Sequence, residues 1–376
     1  MEPQLPPDPA RPAAQDAAIV SAAPVAAASA SAAAAYKDRS TGLIIYGIVE
    51  IALGGMAALA IPFMLLSAVF ARKIPGGAMP AGTYVSGICS YSFAAAALVT
   101  LGIGSIRARR WARALNLILS WFWLTVGIVA TAAMTAFMPS IFAAAFRKAA
   151  EQNPNAPSMP TGVAAVILTV VIVFFSIFLV LLPFAFLLFF RRKDVEETCK
   201  RRDPVERWTD RCPLPVLAMS LLFGCGAVYY LLLAVTTPLM PFFGRYLTGL
   251  VGAAALVVVA AIDGFLAVSL YRLRLAGWWT AMGVQTLRMI SAAFTFRHAD
   301  LLQVYSKMGW SDTQLQQMSA NPVLRNGSGM LWWTLPFMLL FLGYLIWIKR
   351  YFGAPGEPAA AEPRTPYLSS PTGPAL

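Results

Sequence analysis

The chain has 376 residues, 59% of them hydrophobic and only 12% charged, about half the charge content of an ordinary soluble domain. So apolar a balance excludes a single water-soluble core. The net charge of +12 comes without a soluble basic domain, which argues against nucleic-acid binding. The apolar residues fall in blocks long enough for a helix to cross about 30 Å of hydrocarbon, so the expected fold class is an all-α polytopic membrane protein.

Residues 1–36 are rich in Ala and Pro and read as a disordered tail. With Glu2 and Asp8 but no Lys or Arg in the first ten residues, they make a poor signal peptide. Eight apolar blocks follow, at 41–70, 84–106, 111–137, 162–190, 214–237, 247–270, 277–296 and 329–348. The seventh, "GWWTAMGVQTLRMISAAFTF", is the weakest, because Gln285 and Arg288 would insert poorly without neighbours. A second Pro-rich tail, 352–376, closes the chain. Pro183 and Pro336 are expected to kink their spans.

Lys and Arg set the orientation, since positive segments are retained in the cytoplasm. With the N-terminus inside, 20 of the 29 basic residues fall on inner segments. Both termini are therefore expected in the cytoplasm, and the Ala-rich composition favours a bacterial inner (plasma) membrane. The expected partners are the bilayer itself and anionic lipids at the cytoplasmic face. A homo-oligomer is compatible with the sequence, and no protein partner is indicated. The central loop, "RRKDVEETCKRRDPVERWTDRC", reads as a solvated helical extension with Lys193–Glu197 and Glu197–Arg201 pairs four apart. Trp111, Trp278, Trp279, Trp332, Trp333 and Trp347 fall near membrane edges and read as an interfacial belt.

The outer loops carry helix signals. "IFAAAFRKAAEQNPN" reads as one helix stopped by Asn153 and Pro154. In "HADLLQVYSKMG", Gly309 offers a stop, and "SDTQ" offers Ser311 and Gln314 as a capping box for a second short helix ending near Asn321. Asn326, in "NGS", matches a glycosylation acceptor on the outer side.

Landmarks recur in order along the chain. "KDRS" at 37 matches "TDRC" at 209, "RARRWAR" at 107 matches "RLRLAGWW" at 272, "EQNPNA" at 151 matches "SANPVL" at 319, and "RRK" at 191 matches "KRY" at 349. The expected domains are a first four-helix repeat over 37–193, a cytoplasmic linker over 194–208 and a second four-helix repeat over 209–351. An even number of spans in each makes the repeats parallel, related by an axis along the membrane normal.

Ionisable residues inside the spans are the candidate polar site: Glu50 in "YGIVEIALGG", Asp263 in "VVVAAIDGFLAVSL", and Arg288 with Gln285 in "VQTLRMIS". By helix rise they lie about 10 to 16 Å from the inner ends of their helices. Glu50 shares a face with Gly47, Gly54 and Ala57, and Asp263 shares one with Ala260 and Ala267, the small-residue stripes along which helices approach. Arg288 shares a polar face with Gln285, Ser291 and Thr295. All three should look inward, with Asp263 held by Arg288 and Glu50 close enough to feel both.

No disulfide framework, cofactor motif or metal site is expected. Zinc at Cys199 and Cys212 would need two more ligands, and the one histidine, His298, lies across the membrane. Without a nucleophile, paired acids or a Walker pattern, the chain is expected not to be an enzyme or an ATP-driven pump. The expected role is structural, in assembly or binding. The alternative is a secondary transporter or channel-like permease that uses the Glu50, Asp263 and Arg288 layer.

Overall fold

The computed structural model describes residues 37–73, 79–152, 161–298, 301–319 and 327–352. Its elements run α1 (Ser40–Ala71), α2 (Ala81–Ile106), α3 (Arg110–Gln152), α4 (Thr161–Ser176), α5 (Leu182–Phe190), α6 (Lys193–Arg202), α7 (Leu214–Thr236), β1 (Leu239–Phe242), β2 (Arg245–Thr248), α8 (Gly249–Tyr271), α9 (Leu275–His298), α10 (Leu301–Lys307), α11 (Asp312–Ser319) and α12 (Gly327–Ile348). The tails, Asn153, Pro154, Asn321 and Asn326 lie outside the described residues.

Among the described residues the protein is all-α apart from one small hairpin. Six of the described segments are long and apolar enough to cross a membrane: α1, α2, the first 34 residues of α3, the Gly162–Phe190 segment, α7 and α8. Their outward faces are bare hydrocarbon: Ile45, Ile48, Met56, Leu59, Phe63 and Phe70 on α1 are each more than half exposed. An apolar surface of that extent needs lipid against it. Of the eight expected spans, α9 and α12 are not among the six; α9 carries Gln285 and Arg288 at its middle.

The helices pack in pairs, α1 with α2, α3 with α5, α7 with α8, and α9 with α12. Glycine decides how closely the first pair approaches. A Cβ on Gly47 would lie 2.7 Å from the Gly102 carbonyl oxygen, and one on Gly102 would lie 2.6 Å from the Gly47 carbonyl oxygen. The backbones touch where either residue would otherwise carry a side chain.

The span over 162–190 is interrupted by a π-helical turn, Ile177–Leu181, in which the Leu182 amide bonds to the Ile177 carbonyl. Pro183 explains it. Having no N–H, it cannot bond the carbonyl of Leu179 four residues back, and that carbonyl turns toward α3, where a Cβ on Gly127 would lie 1.9 Å from its oxygen.

The sequence reading contained no strands, yet β1 and β2 form an antiparallel hairpin with Leu239 opposite Thr248 and Phe242 opposite Arg245. Its two turn residues, Phe243 (φ 42) and Gly244 (φ 83), are both left-handed, as a two-residue type I′ turn requires. Further along the chain, α10 ends at Lys307 and the left-handed Gly309 (φ 85) closes the turn that follows. The Ser311 amide donates to Gln314 Oε1 at 3.1 Å, and the Gln314 amide donates to Ser311 Oγ at 3.4 Å, which is the expected capping box opening α11. The helix expected over "IFAAAFRKAAEQNPN" is continuous with the apolar stretch before it: α3 runs 43 residues, about 64 Å at the usual rise.

Two turns carry the same hydrogen bonds 165 positions apart. After α2, the amides of Arg107, Ala108, Arg109 and Arg113 donate to the carbonyls of Ile103, Ser105, Gly104 and Arg109; after α8, those of Arg272, Leu273, Arg274 and Trp278 donate to Val268, Leu270, Ser269 and Arg274. Each is a Schellman-type helix stop with a non-glycine residue in the left-handed position, Ala108 (φ 50) and Leu273 (φ 53). In both, a missing Cβ admits the returning helix: Gly104 faces Ala112, and Gly277 faces Ser269.

The central loop corrects the expectation of a solvated extension. Val195, Thr198, Cys199 and Asp203 are buried, and Lys200 pairs with Glu196 along the helix at 2.8 Å. Glu196 also bonds Arg113 on α3 at 2.9 Å, Asp194 bonds Arg39 at 3.4 Å, and Asp38 bonds Arg202 at 3.3 Å. α6 thus clasps the N-terminal ends of α1 and α3. Trp278 is buried within the protein, and its Nε1 donates to the Leu345 carbonyl of α12 at 2.8 Å.

Candidate functional site

The intramembrane charges fall into two separate clusters. In the first, Asp263 on α8 is 2% exposed and Arg288 Nη2 on α9 donates to its Oδ1 at 2.5 Å. The Arg288 guanidinium also lies over the Tyr230 ring of α7, 5.6 Å from its centroid, a favourable place for a cation out of water. Gly226 on α7 leaves room for Asp263, since a Cβ there would lie 3.2 Å from Oδ2.

The rest of the α9 polar face has a local explanation. Ser291 Oγ accepts from the Phe243 amide at 3.1 Å, and Thr295 Oγ1 accepts from the Gly244 amide at 3.0 Å. Both amides belong to the hairpin turn, whose N–H groups have no partner within the two-stranded ladder. Gln285, one turn before Arg288, is buried on the same helix.

Glu50 stands elsewhere. It is fully buried, and its Oε2 accepts from Ser105 Oγ on α2 at 3.1 Å, while Ser105 Oγ accepts from Asn116 Nδ2 on α3 at 2.9 Å. None of its hydrogen bonds among the described residues reaches Asp263 or Arg288, so the expectation that Glu50 feels both is replaced by a self-contained trio. Asn116 is the residue that sequence reasoning missed. An amide in the apolar run "ALNLILS" is the signal that points to it.

Beside the N-terminus of α3, Asp203 is the hub of a further polar group. Arg207 Nη2 donates to Oδ1 at 2.9 Å, Arg109 Nη1 to Oδ1 at 3.4 Å, and the Arg110 amide to Oδ2 at 3.4 Å. The Arg207 hydrogen bond leads in holding this carboxyl below its usual range, helped by the Arg110 amide and the charge of Arg109. Burial pushes the thiols of Cys199 and Cys212 up to about 11, so both are unreactive at neutral pH. No group of three or more His, Cys, Asp or Glu capable of holding a metal occurs among the described residues.

A large cleft of about 920 Å³ opens between α2, α7 and α8. Phe93, Leu221, Val228 and Leu232 line its walls, Cys89 and Cys225 face into it, and Trp208 and Arg272 also line it. None of Glu50, Asp263, Gln285 and Arg288 lines it. No family model, curated protein or solved structure matches this chain.

Proposed function

We propose that the chain is an eight-span protein of a bacterial inner (plasma) membrane, built of two parallel four-helix repeats with both termini cytoplasmic, whose role is binding or assembly without catalysis. Six spans follow from length and apolarity alone. α9 and α12 complete the count, because the Asp263–Arg288 pair and the hairpin amides take up most of the polar face of α9 that lipid would reject. The repeat is supported by the two stops 165 positions apart and by the paired packing of helices. It is also supported by a matching clasp, in which Arg113 Nε donates to Phe190 O and Trp278 Nε1 to Leu345 O.

The observation that carries the binding reading is the separation of the charges from the cleft. Each intramembrane acid is closed off among helices, while the cleft at the junction of α2 with α7 is walled by apolar side chains, as hydrophobic-ligand sites are. It therefore suits an apolar chain, not a hydrated ion. Exposed Arg107, Arg191, Arg192, Arg272 and Arg274 along the inner edge suit anionic lipid headgroups.

Proton and ion flux in proteoliposomes tests the choice. Vesicles carrying the folded protein should stay impermeable with or without Asp263→Asn. Flux that the parent supports and Asp263→Asn abolishes would establish the permease reading instead.

A further inference from the structure

Among the described residues, Glu50 differs from Asp263 in having no cation paired with it. Charged residues on the elements around it are engaged at the inner edge: Arg110 pairs with Asp210, Arg113 with Glu196 and Arg39 with Asp194, while Arg107 is exposed beyond the end of α2. The nearest ring on its own helix, Tyr46, donates its hydroxyl to the Ala185 carbonyl at 3.4 Å and stacks on Phe189. What faces Glu50 is Ser105 from α2 and, through it, Asn116 from α3.

The hydrogen-bond count of this trio falls short on one side only. The Ser105 hydroxyl and one Asn116 N–H are used as donors, yet Glu50 Oε1 and Asn116 Oδ1 are buried with no donor reaching either. Both orphan atoms are acceptors, so the site lacks hydrogen. Water has little room to supply it. Gly47 and Gly54 flank Glu50 by one turn on each side, and at both the backbone of α2 closes in: a Cβ on Gly54 would lie 2.8 Å from Val99 Cγ2 and 3.1 Å from the Ala95 carbonyl oxygen. A bare carboxylate there would be an unpaired charge inside hydrocarbon, the arrangement that membranes and protein interiors tolerate least.

We infer that Glu50 is a resident proton site, a neutral carboxylic acid carrying its hydrogen on Oε1, enclosed by Ser105 and Asn116 and independent of the Asp263–Arg288 pair. One proton removes the charge and turns the orphan acceptor into a donor. The trio then joins α1, α2 and α3 through a neutral hydrogen-bonded chain, while the second half joins α8 and α9 through an ion pair.

Infrared difference spectroscopy on the full chain in lipid nanodiscs reads the protonation state directly. At mildly alkaline pH, where exposed acids are ionised, the parent should retain one carboxylic-acid carbonyl band that is lost in Glu50→Gln. Labelling glutamate with carbon-13 in the unmutated protein should shift that band, which keeps the test valid if the variant folds poorly. A band that labelled glutamate does not move, a purely carboxylate signal at Glu50, or a carbonyl band that sodium or potassium ions abolish would each overturn the inference.

Discussion

Asp263 and Arg288 need each other more than the protein needs the pair. A lone charge near the membrane centre costs about 2.5–3.5 kcal/mol on insertion scales, whereas polar contacts between membrane helices average about 0.6 kcal/mol. Asp263→Ala or Arg288→Ala alone should therefore lower folded yield and melting temperature more than the double change does. A double-mutant cycle in which the single effects simply add would contradict this. Glycines give a sharper contrast at the same scale. Gly47→Ala forces a Cβ against the Gly102 carbonyl, while Gly55 has nothing within 4 Å of its place. The first should destabilise by about 1–3 kcal/mol, and the second should be neutral or mildly stabilising through better helix propensity; thermal unfolding in detergent compares them. Inward-facing Glu50, Asp263 and Arg288 were legible because small or polar residues share their helix faces. That Glu50 and Asp263 sit in different clusters was not, since helix depth says nothing about which neighbours close around a side chain.

Helices were legible in existence and approximate bounds because long apolar runs, Gly309 and the Ser311–Gln314 box are local signals. The hairpin and the π turn depend on distant partners. The turn amides of β1–β2 find their acceptors on α9, and the Leu179 carbonyl freed by Pro183 finds its space at Gly127 on α3. Gly127→Ala should accordingly destabilise by about 1–3 kcal/mol. In a Pro183→Ala background, where residue 183 again offers an N–H to Leu179, the penalty should shrink; equal penalties in both backgrounds would refute the link. The α6 clasp likewise escapes local reading, because Asp194 and Glu196 reach across to Arg39 and Arg113, Glu196 in addition to its Lys200 partner on α6. It sets a pH dependence. Asp203, held below the usual carboxylate range by Arg207 first, contributes stability that is present above the unfolded-state value of about 3.9 and is lost as pH falls through the depressed folded value. Asp203→Asn should lower the melting temperature at neutral pH and flatten its decline under acid. A parent and variant whose melting curves stay parallel down to acid pH would count against the clasp.

At the scale of the whole molecule, the two proposed repeats meet through α2 and α7. A Cβ on Gly82 would lie 2.0 Å from the Thr236 carbonyl oxygen, and the apolar cleft opens along the same junction. The proposed parallel repeats require every segment between matched landmarks to cross the membrane the same number of times, so α9, the weakest of the proposed crossings, carries the proposal. Between Glu206 and Ser306 lie α7, α8 and α9: three crossings put these residues on opposite sides of the membrane, and two put them on the same side. Both positions are exposed. The direct measurement is labelling of Glu206→Cys and Ser306→Cys variants with a membrane-impermeant maleimide, against the parent as background. Ser306→Cys should label in intact cells and Glu206→Cys only after the membrane is opened, whereas labelling of both from one side would contradict the eight-span, two-repeat architecture.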